Sequence, residues 1–430
     1  MTILSSQAHT FEDADEALEA CFELGWTDGL PVVPATAERV EAMLEAGGVA
    51  PGDVLGEVPT RRVTVTAEKA AVNAVMAGCR PEYFPVVLAA VRAFLQTKAN
   101  AHSTTATLAG AAHAVIVNGP ARRRLGIESG QACFGPGFRA NATIGRALRL
   151  VIRNVCRAVP GELDRATFSW PLRYSFCFGE NEEASDWTPL HVQLGYRADQ
   201  SVVTVQSVMR LVQVTDFHPE PAAILDAVAE HARFGGLQRD EWAGDDRSVV
   251  VVVGTEHHLR LLDAGYTKEK VQEALWPILT ADTAGKYDNK LHLASPANVM
   301  VVAAGGPGIA QSWVIVPHLA VPTHEAVEWP AGDGTPSTTS DDLLSPGARA
   351  VLDELDGIVA ADGARLALRS AGGSVVELAL DLSGSTCPEC VLPKDLLVEM
   401  LAERLSAADP DITEVRLEDP REGQAPSSTR

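Results

Sequence analysis

Two cysteines three positions apart, Cys387 and Cys390, lie in the stretch LSGSTCPECVLPKDLL. The spacing lets both sulfurs reach one metal ion or bond to each other. A helix is expected to open directly after them, over 391–406. Backbone N–H groups at a helix start stabilise thiolate. Iron–sulfur clusters typically take four thiolates, so one pair per chain implies two chains sharing a cluster, with Cys387 and Cys390 as ligands. Two alternatives stay open at this point: a redox dithiol that needs no partner chain, and a pair that only packs.

Further chemistry-bearing residues sit where apolar runs end in unusual turns: Asn118-Gly119-Pro120, Gly254-Thr255-Glu256-His257-His258 and Gly305-Gly306-Pro307-Gly308. Ligands of open α/β sheets sit beyond the carboxyl ends of the strands. If these three strands are parallel neighbours, Asn118, His257, Gly305 and Gly306 converge on one crevice, with His257 and His258 as the nearest proton carriers and Glu256 as an orienting carboxylate. The opposing reading makes Glu256 a helix cap and both histidines surface residues. In GQACFGPGFRANATIGRALR, Gly135, Gly137 and a helix start could present N–H groups to an anion, with Arg139 and Arg146 adding charge. Neither GxGxxG nor a P-loop pattern is present. Cys133 lies beside this loop as a candidate acceptor thiol, although a small buried cysteine is the more common outcome.

In FCFGENEEASDWTPLHV, Glu180 and Asn181 follow an apolar Phe-Cys-Phe strand, with Glu182, Glu183, Asp186 and His191 close behind. Such a set could hold a hard metal or do acid–base work, although acidic loops are usually just solvated. No GxSxG is present, which disfavours a serine hydrolase.

The elements that would position these residues are legible as periodicities. Amphipathic helices are expected near 12–24, 36–46, 67–77 and 84–98, with a strong one over GFRANATIGRALRLVIRNVCR. AHAVIVN, SVVVVV and NVMVVA read as strands buried on both faces, because their apolar runs are continuous rather than alternating. The fold class expected is α/β: a large mixed or mostly parallel sheet with helices on both faces over 1–321, followed by a small α+β domain over 347–420. Between them, 322–346 is rich in Pro, Gly, Ser, Thr and acid and reads as a linker, and 421–430 as a frayed tail. There is no repeat of solenoid period.

With 430 residues, more than one core is expected. The net charge of −22 argues against nucleic acid or an anionic membrane as partner. No apolar run reaches the roughly 18–20 residues of a membrane span, and the first residues are not of signal type. Seven cysteines without framework spacing suggest a reducing, cytoplasmic setting.

The segment VLDELDGIVAADGARLALRSAGGSVVELALDLSGSTCPECVLPKDLLVEML resembles the NifU-type C-terminal domain of iron–sulfur scaffold proteins. The shared features are a helix ending in ADG, a strand hairpin, CxxC before the next helix, and a closing acidic strand. The approach to Cys387 looks one residue longer than is usual there, and Pro388-Glu389 replaces two small residues. The resemblance implies a 4Fe–4S cluster shared within a homodimer. Residues about 15–320, through GWTDGLPVVPAT, NGPARRRLGI and GPGFRANATIGRALRLVIRN, resemble an uncharacterised bacterial family associated with small thiol- or selenol-containing partners, and bring no catalytic residue with them.

Together these imply a sulfur-transfer or redox enzyme. In it a CxxC domain supplies sulfur, a cluster or electrons to the large domain, acting on a small molecule or a thiol carrier protein. The alternatives are an iron–sulfur assembly scaffold without catalysis, a thiol–disulfide oxidoreductase, and a cluster-independent lyase or hydrolase dimerised by its C-terminal part.

Overall fold

A computed structural model describes residues 4–234, 248–281, 293–330, 344–360, 364–372, 375–382, 392–410 and 412–421. The chain forms two compact units, Met1–Gly332 and Asp333–Arg430. No helix among the described residues is long and apolar enough to cross a membrane.

The first unit opens with helices Ala14–Glu23 and Ala37–Gly47 and a small hairpin of β1 (Val54–Val58) and β2 (Val63–Thr66). Helix Ala67–Ala77 follows. The Thr66 hydroxyl caps its start by accepting the Lys69 N–H, and Gly78 ends it with a φ of +90°. Helix Phe84–Leu95 is buried along almost its whole length, as its sequence, apolar except for Arg92, requires.

The central sheet comprises β3 (Ala112–Asn118), β4 (Cys177–Gly179), β5 (Val202–Thr215), β6 (Val249–Val253), β7 (Val299–Ala303), β8 (Gln311–Pro317) and β9 (Thr323–Ala326). Its order is β4-β3-β5-β8-β6-β7, with β9 added to β5. Strands β3 and β4 are parallel, as are β6 and β7, while every other pairing is antiparallel. The sheet is therefore mixed: of the three strands expected to be parallel neighbours, β6 and β7 are, while β3 is separated from them by β5 and β8 and runs in the opposite sense.

The order is a palindrome. A strand, a helical connection, a parallel strand and an antiparallel return build β3–β4–β5, and the same sequence builds β6–β7–β8. The two halves join through the antiparallel β5–β8 pair. Alternation along each strand divides the apolar residues into two sets. Ile116, Phe178, Val208, Val250, Val252, Met300, Val302 and Ile315 pack together as one cluster drawn from all six strands of the path. Just past β4 the Asn181 N–H donates to Ala303 O at the end of β7 at 2.7 Å, so the two edges of the path meet and the sheet curls around this core. The opposite faces pack on helices: Val115, Val117, Val203 and Val205 against Phe84–Leu95 and Arg139–Leu150, and Val249, Val251, Val299 and Val301 against Pro221–Phe234 and Lys268–Thr280.

Part of the stretch read as a linker is structured. β9 pairs with Val202–Val205, and Val327 and Trp329 pack into the first core. Arg124 stacks on the Trp329 ring at 3.9 Å. The apolar residues Ala326, Val327 and Trp329 alternate with charge here, a strand signal diluted by the Ser/Thr/Gly-rich residues that follow.

The second unit runs helix Pro346–Ala360, β10 (Arg365–Gly372), β11 (Val375–Asp381), helix Lys394–Ala408 and β12 (Glu414–Glu418). β10 pairs antiparallel and β12 parallel with β11. Leu352, Leu355, Leu366, Leu378, Leu397, Leu401 and Leu417 form its core. This is the α+β element order read from the sequence. Cys387 and Cys390 lie outside the described residues.

Gly119 has a φ of +78°, and a Cβ there would run into the Gln200 carbonyl oxygen. Gly126 has a φ of +63° with open space around it. Gly126→Ala should cost about 1–2 kcal/mol, the left-handed penalty alone. Gly119→Ala should cost more, since backbone must move as well. Urea unfolding compares the two, and equal costs would refute the close approach.

Candidate functional site: a buried ionic cluster at the end of β3 and β4

β3 and β4 run parallel and end together, which places Asn118 beside Glu180. The Asn118 amide Nδ2 donates to Glu180 Oε2 at 2.6 Å, and the Leu190 N–H donates to the same oxygen at 2.7 Å. Glu180 Oε1 accepts from Lys268 Nζ at 2.5 Å, and both side chains are almost wholly buried. Lys268 is the first residue of helix Lys268–Thr280, whose start is capped by Thr267. Lysine and glutamate thus come from opposite halves of the sheet.

Around this pair lies a second layer of charge. Glu182 Oε1 accepts from Asn118 Nδ2 at 3.0 Å and from the Gly119 N–H at 2.8 Å. Its other oxygen meets Arg122 at 2.8 Å. Arg122 also donates to the Glu180 carbonyl at 2.6 Å and holds both oxygens of Glu183 at 2.9 and 3.0 Å. Burial by itself would lower the Arg122 guanidinium, but its bonds to Glu183 and the charge of Glu182 outweigh that and raise it. Glu183 is the counterpart: burial pushes its carboxyl up, and Arg122 more than reverses this.

Three side chains here keep unmatched polar atoms. His191 is 1% exposed and neither ring nitrogen has a hydrogen-bond partner; its Nδ1 lies 3.8 Å from Glu182 Oε1. Asn118 Oδ1 and Arg122 Nε are likewise buried and unmatched. Buried polar atoms without partners mark places that water or a ligand completes. The unmatched set includes both donors and an acceptor, so a small molecule with a hydroxyl, amide or carboxylic group matches it. Next to the cluster, His258 shares a hydrogen bond with Ser185 Oγ at 3.0 Å, and the Trp187 ring packs edge-on at 4.4 Å. Burial, opposed by Asp186 and aided by Lys268, holds His258 below its ordinary range.

The other expected site residues are placed as follows. Asn181 stands beside Glu180, but its recorded bond is from the backbone N–H to Ala303 O at 2.7 Å, tying the end of β4 to β7. His257 is fully buried. Its ring bonds Ser312 Oγ at 2.8 Å and Asp216 O at 2.9 Å, and burial pulls it below its ordinary value. Both nitrogens are satisfied by structure, so His257 is no free proton carrier. Nor are His257 and His258 surface residues: both are buried. Glu256 does not cap the helix, which begins after Gly254; its carboxylate accepts the Gly308 N–H.

Gly305 and Gly306 do meet the loop around Cys133. The Gly305 N–H donates to Ser129 O at 2.8 Å, and a Cβ on Gly306 would lie 2.7 Å from Gln131. This is close packing of two loops, with the Gly305 N–H already used.

The anion loop reads differently from its expectation. Arg146 is locked to Asp28 at 2.8 and 2.9 Å and to the Pro31 carbonyl. Arg139 donates to Gly78 O at 3.0 Å. The Gly135 N–H is taken by Ala132 O, while Gly137 supplies a φ of +119° to the turn. Cys133 is buried, and burial pushes its thiol up to about 12 despite nearby N–H groups. It is a packed thiol, not a thiolate.

Two members of the cluster, Lys268 and Arg122, escape sequence reading. Lys268 stands in YTKEK, the usual look of a solvated first helical turn, and Arg122 in a run of three arginines. Among the described residues no group of three or more His, Cys, Asp or Glu is placed to hold a metal ion. The acidic residues Glu180, Glu182 and Glu183 are paired with Lys268 and Arg122. Compared with protein-family models and with curated proteins, the chain matches neither.

Removing one partner of a buried pair leaves an uncompensated charge. Lys268→Met should therefore cost about 3–5 kcal/mol. Combining it with Glu180→Leu should recover much of that loss. Urea unfolding of the two single variants and the double variant measures the coupling; additive losses would mean the pair is not coupled.

Proposed function

We propose that this chain is a sulfur-transfer or redox enzyme in which Cys387 and Cys390 supply sulfur, an iron–sulfur cluster or electrons to chemistry in the unit Met1–Gly332. The observation that carries this reading is the state of the other thiols. Of seven cysteines, five are described, and all five are buried. Burial pushes Cys79, Cys133 and Cys156 up to about 12, and raises Cys21 and Cys177 as well. Thiolate, not thiol, binds soft metals and attacks sulfur. Any thiolate chemistry in this chain is therefore left to Cys387 and Cys390.

Two thiolates are half the usual ligand set of a cluster, so holding one requires a second chain. When bound, a cluster would supply electrons or sulfide. The residues of the first unit would bind and orient the acceptor, and the Asn118–Glu180–Lys268 cluster is the place we assign to it. The unmatched Arg122 Nε–H and Asn118 Oδ1 would bind a neutral acceptor there, and His191 would move a proton.

A second reading is favoured by the same cluster, since its acid–base groups need no thiol. In that version the chain is a lyase or hydrolase, and the CxxC unit serves association.

Anaerobic purification, followed by an absorption spectrum, iron and acid-labile sulfide assays and native mass, tests the first reading. A coloured dimer with about one cluster per two chains is expected, with colour and sulfide lost in Cys387→Ser and retained in Cys133→Ser. Full cluster content in Cys387→Ser would sink the assignment. A protein that stays metal-free after reconstitution and contains a Cys387–Cys390 disulfide would move the function to dithiol exchange.

A further inference from the structure

A second cluster of buried charge lies away from the Glu180 site, on the convex face of the sheet. His113, the second residue of β3, points between helices Phe84–Leu95 and Arg139–Leu150, and the Phe94 ring meets it edge-on at 5.1 Å. Arg149 Nη1 lies 2.9 Å from His113 Nδ1. A guanidinium can only donate, so Nδ1 is the accepting nitrogen and the proton of the neutral imidazole sits on Nε2. That Nε2–H is buried and has no partner.

Arg149 also donates from Nε to the Arg173 carbonyl at 3.0 Å. Arg173 in turn bonds the Asp164 carboxylate and, at 3.1 Å, Ser169 Oγ. Its own Nε is buried and unmatched. Both orphaned atoms in this cluster are thus donors.

The charges do not balance either. Two guanidiniums, Arg149 and Arg173, face one carboxylate, Asp164, which leaves one positive charge in a site where His113, Arg149 and Asp164 are each more than nine-tenths buried. The other carboxylate whose field reaches Arg149 is Asp28, and it is taken by Arg146. Burial, with the nearby Arg173 charge adding to it, drags Arg149 down to about 9, which is what a guanidinium short of an anion undergoes. Native proteins rarely bury a cation without a counter-charge, and water accepting from these donors would leave the excess charge in place.

From the two orphaned donors and the unbalanced guanidinium, we infer that His113, Arg149 and Arg173 form a binding site for one small oxyanion, a carboxylate, phosphate or sulfate group. Planar guanidinium N–H groups and an imidazole N–H are the donors that such oxygens accept from. The outer wall is the stretch 157–176, whose helical content is the single turn Pro171–Arg173 and which exposes Phe168 and Tyr174. Entry would come through this wall.

Isothermal titration of inorganic phosphate, sulfate and acetate into the full-length protein, at matched ionic strength against sodium chloride, tests the site. Saturable binding of at least one anion at one per chain is expected, abolished in Arg149→Met and weakened at least tenfold in His113→Phe. Each variant is first checked for native circular dichroism; if Arg149→Met is unfolded, His113→Phe decides. No saturable heat from any of the three anions, or binding that both folded variants keep at full strength, overturns the proposal.

Discussion

The ion pair between Lys268 and Glu180 is the constraint around which the first unit is arranged. Each residue comes from a different half of a unit built twice over, and both side chains are almost wholly shielded from solvent. Two opposite charges in such a place are tolerable only with good geometry and with every remaining lone pair used. Glu180 meets that condition: one oxygen takes Lys268, and the other takes Asn118 and the Leu190 N–H. This holds the end of β3, the end of β4 and the start of the Lys268–Thr280 helix in one arrangement. Hydrophobic residues of the same shape would hold the halves together as well or better. Stability alone therefore does not require charge at this position.

The curl of the sheet follows from the same joint. The edges β4 and β7 are tied where the Asn181 N–H meets Ala303 O, and the inner apolar cluster fills the space between the halves. Continuous valine runs such as Val249–Val253 make sense only in this setting. One set of side chains looks into the curl and the other into a helical layer. Buried charge gathers at the ends of β3 and β4 and, on the other face of β3, at the His113–Arg149 contact.

Local pattern made the strands and helices legible, because burial on two faces and 3.6-residue periodicity leave a trace in any window. Asn118 and Glu180 were likewise legible, since each directly follows an apolar strand. What was not legible is pairing across long stretches of chain. Arg146 reads as a free cation beside a glycine loop, yet it is bound to Asp28, 118 positions earlier. Lys268 reads as a solvated helix start, and only the fold shows that the helix start is interior. The topological repeat is invisible for a similar reason. The two halves share strand order and sense but not residues, Glu180 standing in one where the other ends β7 in Ala303 and Ala304. The linker boundary was misplaced because composition averaged over 322–346 hid a four-residue strand.

That strand has a practical meaning for anyone dividing the chain. A fragment cut at residue 321, where composition changes, would strip β9 from Val202–Val205 and remove Val327 and Trp329 from the core they complete. It would present four consecutive β-rich residues with open hydrogen-bonding groups beside bared apolar surface, a template for chain-to-chain sheet growth. Insolubility of such a fragment would say nothing about whether the first unit folds independently. A cut placed after Pro330 keeps the edge closed.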